Sequence, residues 1–410
     1  MISIDTRKLL FIIIFIAVCL RILFVILFVD LRLENYWEFG IIADNLKAGR
    51  GYSLFYFTGN HISQVFDPNV TPFPSAFMPP LYVYFIYPFM YIDSVIFRNI
   101  LLIGSQIIIS VLTIILIFNF CKKYFNYNTA IIAAILAAII PEFIYITTIF
   151  NAVTHYHFFI MCILMIIMSE KLFENKKYLY LFSLLSGLLI LLRSEFILFL
   201  ILLYFIFLIK KKFKFIVKSV IIICIIISPW IIRYYLVFNE FIPLTTSGGL
   251  NFYRGHNPIR IGYWGEESYL TELRSLSNNT NFEILYNKYF FDRGFESIKE
   301  NPGMEIFNTF KKIFHLWVFN PEDNRSFNPA YLIPSLLILL FSVLGIIKSF
   351  NLRRYKYLYL FLISTTLIST IFFALPRYQI MMKICLIPFC AFYFDYFLNL
   401  LRIKFFNTKK

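Results

Sequence analysis

The topology turns on one stretch, Pro79-Pro80-Leu81-Tyr82-Val83-Tyr84-Phe85-Ile86-Tyr87-Pro88-Phe89-Met90-Tyr91-Ile92. It is apolar and aromatic, it opens on two prolines, and it falls short of the roughly 20 residues a helix needs to cross about 30 Å of hydrocarbon. If it crossed, every later loop would change sides. On either side of it, long apolar runs read as ten spans, at about 9–29, 99–120, 128–149, 153–172, 178–193, 195–210, 215–232, 329–348, 356–375 and 379–401. The basic residues decide the matter. With 79–92 dipping in without crossing, one side collects Arg7 and Lys8, Lys122 and Lys123, Lys171, Lys176 and Lys177, the Lys210–Lys218 cluster, Lys348 to Lys356, and Arg402 onward. Basic loops mark the cytoplasmic side. If 79–92 crossed, all of these but Arg7 and Lys8 would be misplaced. Both termini are therefore expected in the cytoplasm of a multi-pass cell (inner or plasma) membrane protein.

Composition agrees. Of 410 residues, 60% are hydrophobic and 15% charged, against about a quarter charged in soluble domains. The mean hydropathy is +0.74. Closed barrels use shorter, alternating strands, so the class is an all-α polytopic bundle. The net charge of +15 reflects the cytoplasmic bias. A nucleic-acid partner is not expected, because the basic residues lie in short loops rather than on one soluble face. The six cysteines lie in or beside apolar segments with no CxxC pair, which indicates neither a metal ribbon nor a disulfide framework. No small-residue cleavage site follows Leu9–Val29, so this run reads as a retained first span.

The chain 1–410 reads as a single membrane-embedded domain with two long outer loops, about 30–98 and 233–328. Loops of this length usually carry function. In the first, Trp37 to Ala48 is expected to form a short amphipathic helix ended by Gly49. In the second, Phe282–Lys299 and Pro302–Trp317 read as juxtamembrane helices, with Asn301 as N-cap and Pro302 at the first helical position. Their aromatic content points to the membrane surface.

Charges near the outer face are costly there and so are the candidates for chemistry. The first loop carries Asp30, Glu34, Glu38, Asp44 and Asp67. Glu34 and Glu38 are four apart, and on a helix they would share a face and raise one another's pKa. Such a carboxylate can take a proton from a hydroxyl. A solvated loop acid is the plainer reading of each. Arg193 and Glu195 sit in a minimal turn between spans, either as a structural pair or as a phosphate contact oriented by the glutamate. Arg233, Arg254, Arg377 and Lys383 are expected near the same face, a grouping that suits an anionic lipid or a polyprenyl phosphate. Arg21 and Arg98 read as structural. His155 and His157 point apart on a helix, so one metal could not easily take both. No metal or other cofactor is called for.

Five stretches, in order, resemble one family. Ala43-Asp44-Asn45-Leu46 with Gly49-Arg50-Gly51-Tyr52-Ser53, Pro79-Pro80-Leu81-Tyr82, Leu192-Arg193-Ser194-Glu195, Pro229-Trp230 through Arg233 with Phe238 to Pro243 and Gly248 to Pro258, and Arg377-Tyr378 resemble the motifs of GT-C type membrane glycosyltransferases. The branch is that of the protein O-mannosyltransferases, the aminoarabinose transferases and their bacterial relatives. The resemblance implies transfer of a sugar from a polyprenyl-phosphate donor to a glycan, lipid or protein acceptor, with a first-loop acid as base. It implies substrate contacts from Arg193, Glu195, Arg233, Arg254, Arg377, Tyr378 and the position of His155. The chain departs from the pattern twice. The family's loop acid aligns near Asn35, which leaves Glu34 or Glu38 as the base, and a Thr-Glu pair is here Thr154-His155. Other readings are an envelope polysaccharide polymerase or ligase, and a lipid-linked oligosaccharide flippase. The acid-bearing loop after the first span disfavours the former, and the lack of a two-fold repeat disfavours the latter.

Overall fold

The computed structural model describes residues 6–58, 61–257, 261–262, 281–352 and 355–407. Pro258 and Arg354, within the stretches used above in reading motif and topology, lie outside them. Among the described residues, five helices are long and apolar enough to cross a membrane: α1 (Thr6–Phe28), α4 (Val95–Tyr124), α10 (Phe213–Phe238), α14 (Pro329–Ser349) and α16 (Pro376–Asn407). Shorter apolar helices are α5 (Tyr127–Ile139), α7 (Val153–Ile167), α9 (Phe196–Ile209) and α15 (Lys356–Ile371). Lys176–Leu192 forms α8. In the bundle, α4 packs on α5 and α7, α8 on α10, and α14 along α16.

The span expected at 128–149 is broken. Pro141 disfavours helix at the residue before it, and Ile140 is extended (φ −58°, ψ 122°). The chain restarts as α6 (Pro141–Tyr145). A break inside a bundle frees carbonyls that water cannot reach. Arg21 of α1, 0% exposed, meets them. It donates to the carbonyls of Ala138 (3.2 Å), Ala137 (3.4 Å) and Phe143 (3.4 Å), and to Ala17 O and Ser110 Oγ. One side chain with five N–H donors suits this task.

In the first long loop, α2 (Trp37–Lys47) ends where Gly49 takes a φ of +74°, which a side chain would strain. Asn45 then fixes the return path. Its amide donates to Ser53 O at 2.9 Å, and its oxygen accepts from Tyr56 Oη at 2.6 Å. A small hairpin follows, β1 (Tyr56–Thr58) and β2 (His61–Ser63), paired Tyr56 to Ser63. The ambiguous stretch forms α3 (Pro80–Ile86) and a tight turn at Tyr87–Tyr91. Seven helical residues rise only about 10 Å, too little to cross.

In the second loop, α10 runs on to Phe238, six residues past the expected span end, and stops at left-handed Asn239 (φ 52°). There follow α11 (Gly248–Gly255), α12 (Phe282–Glu300) and α13 (Pro302–Trp317). Gly249 lets α11 lie against α12: a Cβ there would fall 1.9 Å from Asn287 O. Pro302 does open α13, but the Asn301 side chain makes no capping bond. Asn328 caps α14 instead, accepting from Ala330 N at 3.0 Å.

Candidate active site

The last turn of α8 sets the first functional side chain. Arg193 N bonds Leu189 O at 2.8 Å. The residue then turns extended (φ −150°), so its side chain leaves the helix axis before α9 begins. Its Nε donates to Glu195 Oε1 at 2.7 Å. The guanidinium lies over the Tyr378 ring, 5.5 Å from the centroid, and Arg377 lies 5.5 Å from the same ring. Both cations lie within cation–π range of one ring. Glu195 neutralises one of them. Among the described residues no carboxylate pairs with Arg377. The cluster therefore carries one positive charge in excess, which suits an anion. Arg193 is well buried, with its side chain 13% exposed, so a phosphate there would meet a bidentate donor in a semi-dry site.

Beside it is a small cleft lined by Ser194, Leu191, Pro80, Trp230, Ile231 and Tyr234, among others. Its walls are mostly apolar. They come from α8, α10, α3 and the Pro243–Thr245 segment.

Arg233, next to the cleft-lining Trp230 and Tyr234, is already engaged. It donates to Tyr52 O (2.8 Å) and Ser75 O (2.9 Å), with Tyr52, Trp230 and Tyr234 rings around it. It ties α10 to the first loop. Close by, Glu283 in the first turn of α12 is 1% exposed. One oxygen accepts from Ala76 N at 2.7 Å and from Thr246 Oγ1, while the other has no hydrogen-bond partner among the described residues. Burial pushes this carboxyl up to about 7, despite those bonds and nearby Arg233.

The first-loop acids do not sit as their spacing predicts. Trp37 lies between Glu34 and Glu38 at φ 56°, so no regular helix runs through both, and α2 starts only there. Glu34 instead meets Arg98 at 3.3 Å. Arg98 also donates to Ile92 O at 3.0 and 2.8 Å. Asp44, on α2, is near the same group. Burial, then the Glu34 charge, raises its carboxyl to about 6. Glu38 is half-buried and carries no ion pair among the described residues. His155 is buried between Phe85 (ring centroids 4.2 Å) and Tyr82 (5.4 Å), and neither ring nitrogen is bonded among the described residues. Arg254 is buried at the end of α11. Lys383, expected in the basic group, is paired inside the bundle with Glu142 (2.5 and 2.6 Å) and Ser335 (2.7 Å). Thus the structure joins Arg193, Glu195, Arg377 and Tyr378, and it leaves Arg233 and Lys383 with other partners.

Residues 78–232 match the family model described as dolichyl-phosphate-mannose-protein mannosyltransferase. The structure also superposes on the oligosaccharyltransferase AglB of Archaeoglobus fulgidus, solved with an inhibitory peptide and a dolichol-phosphate. The TM-score is 0.59 at 15% identity, over 97% of this chain and 51% of that one. The fold is shared with this oligosaccharyltransferase. A second structure of the Archaeoglobus enzyme, tethered to an acceptor peptide containing the NVT sequon, gives a TM-score of 0.59 at 16% identity, over 97% and 50% of the two chains. ArnT from Cupriavidus metallidurans, bound to undecaprenyl phosphate, aligns over 93% of this chain and 77% of its own at 12% identity, with a TM-score of 0.42. The chain spans about half the length of the Archaeoglobus enzyme. No curated protein matches it.

The stretches that resemble GT-C motifs acquire physical roles in this frame. Asn45, Tyr52 and Ser53 pin the first loop, since Tyr52 Oη donates to Met78 O at 2.7 Å and Ser53 Oγ to Arg50 O at 3.0 Å. Gly249 and Gly255 allow close backbone approach to Asn287 and Phe372. Glu283 was invisible to sequence reasoning, because its burial needs Ala76 and Thr246 from two other segments.

Proposed function

We propose that the protein is a polytopic glycosyltransferase that moves one hexosyl or pentosyl unit from a polyprenyl-phosphate donor to an acceptor hydroxyl at the outer membrane face, with inversion. The observation that carries this reading is the Arg193–Glu195–Arg377–Tyr378 cluster, one positive charge in excess, beside an apolar cleft. A lipid phosphate has the same two-part chemistry. The helices α1, α4, α5 with α6, α7, α8, α9, α10, α14, α15 and α16 supply ten crossings, with both termini cytoplasmic.

In the reaction, the acceptor oxygen attacks the anomeric carbon as the bond from that carbon to the phosphate oxygen breaks. The acceptor proton passes to a carboxylate, and the lipid phosphate leaves with the bonding pair. Arg193 and Arg377 stabilise the charge gathering on the leaving phosphate. The base comes from the first loop, Glu34 or Glu38. Glu38, free of any ion pair among the described residues, is the less encumbered of the two.

The test is incubation of the purified protein with radiolabelled polyprenyl-phosphate sugars and envelope extract. Stoichiometric release of polyprenyl phosphate with label in a new product is expected. A donor that stays intact, or that only changes leaflet, would refute the reading.

A further inference from the structure

The helix α13 is amphipathic with the opposite sense to a helix on a water-facing surface. Ile306, Phe307, Phe310 and Phe314 are 65, 63, 68 and 44% exposed. At 100° per residue these four fall within one arc of about 100°. The opposite arc holds Glu305 and Lys312, and it faces the protein. Lys312 is 0% exposed and His315 3%. Lys312 Nζ meets Glu305 Oε1 at 3.1 Å and Thr370 O at 3.1 Å. The other Glu305 oxygen lies 2.9 Å from His256 Nδ1. Trp317 Nε1 donates to Thr366 Oγ1 at 3.0 Å. The charged groups of the polar face, Glu305 and Lys312, thus find partners within the protein, and the apolar face is the uncovered one.

What covers it is indicated by its neighbour. The bonds to Thr366 and Thr370 lay α13 across the end of α15. On α15 the row Ile363, Leu367 and Ile371 is 53, 41 and 44% exposed, as expected of a face turned to lipid. The α13 stripe therefore continues a lipid-facing surface at the end of the bundle that carries the two long loops. Lys311, at the edge of the stripe, is paired with Glu322, so among the described residues its charge is balanced there.

We propose that α13 is an interfacial helix whose Ile306, Phe307, Phe310 and Phe314 sit among the acyl chains of the adjacent leaflet. Through Glu305 and His256 it moors α11, with Arg254, to the bilayer. This inference rests on the membrane spans and stands whether or not the chain transfers sugar.

The test uses the full chain in lipid nanodiscs, with Phe310→Trp and Phe307→Trp as separate variants. The signal of the four native tryptophans is subtracted. If the added indole lies in the acyl layer, lipids brominated on the upper chain quench it about two-fold or more, and aqueous iodide does little. Efficient quenching by iodide with no effect of bromine, in both variants, would place α13 in water and overturn the proposal. Shielding from both quenchers would show that protein covers the stripe, a second copy included, and would overturn it equally.

Discussion

Replacing Glu283 by Gln should remove a pH dependence from the stability of the whole protein. The group is 1% exposed and its carboxyl stands at about 7, against 4.5 when solvated. In that interval the folded state holds a proton that the unfolded state has lost. Stability from this site is thus fully present below pH 4.5 and falls as pH rises through about 7. At about 1.4 kcal/mol per pH unit, the interval amounts to about 3 kcal/mol. Glutamine stays neutral. Its oxygen can still accept from Ala76 N and Thr246 Oγ1, so the links between the first loop, the segment after α10 and α12 survive. Thermal unfolding of purified protein from about pH 5 to about pH 8 should show the parent losing a few degrees more than Glu283→Gln. Glu283→Ala should be less stable at every pH, because Ala76 N loses its acceptor. A parent and a Gln variant with parallel pH profiles would refute the reasoning.

Three other outcomes follow from the geometry. Arg193→Ala should lower kcat/KM for the lipid-phosphate donor about 30-fold, the loss of about 2 kcal/mol expected for a charged hydrogen bond; Arg193→Lys should recover only part, and Arg233→Ala should instead lower the melting temperature, since that guanidinium holds Tyr52 and Ser75 carbonyls. Turnover assays of Glu34→Gln and Glu38→Gln should find one of them about a hundred-fold slower with donor binding unchanged, and activity intact in both would exclude a first-loop glutamate as base. Arg21→Met should cost about 3 kcal/mol or more in a denaturation assay, because it strands buried carbonyls at the α5–α6 break.

Much of this fold could be read from the chain because bilayers impose simple rules. Apolar length and basic loops located the helices, and the turn holding Arg193 and Glu195 was visible as two charges between apolar runs. The errors have local causes. Pro141 breaks a run that composition alone reads as continuous, and left-handed Trp37 cancels the spacing argument for Glu34 and Glu38. Other features depend on distant contacts. Nothing near Lys383 announces Glu142, 241 residues away, and nothing near Glu283 announces Ala76, 207 residues away. The union of Arg193 with Tyr378 was expected only through the family resemblance, since no periodicity connects α8 to α16.

The buried Arg21 also has a bearing on biosynthesis. Its acceptors at Ala137, Ala138 and Phe143 lie 116 to 122 residues downstream. A nascent chain delivers the guanidinium to the membrane well before those carbonyls exist, and a lone arginine at mid-helix costs about 3 kcal/mol to insert. The strongly apolar remainder of α1, with a hydropathy of 3.3, offsets that cost while the debt is open. The first span is thus incomplete when it is made, and it is finished by a helix break that arrives later.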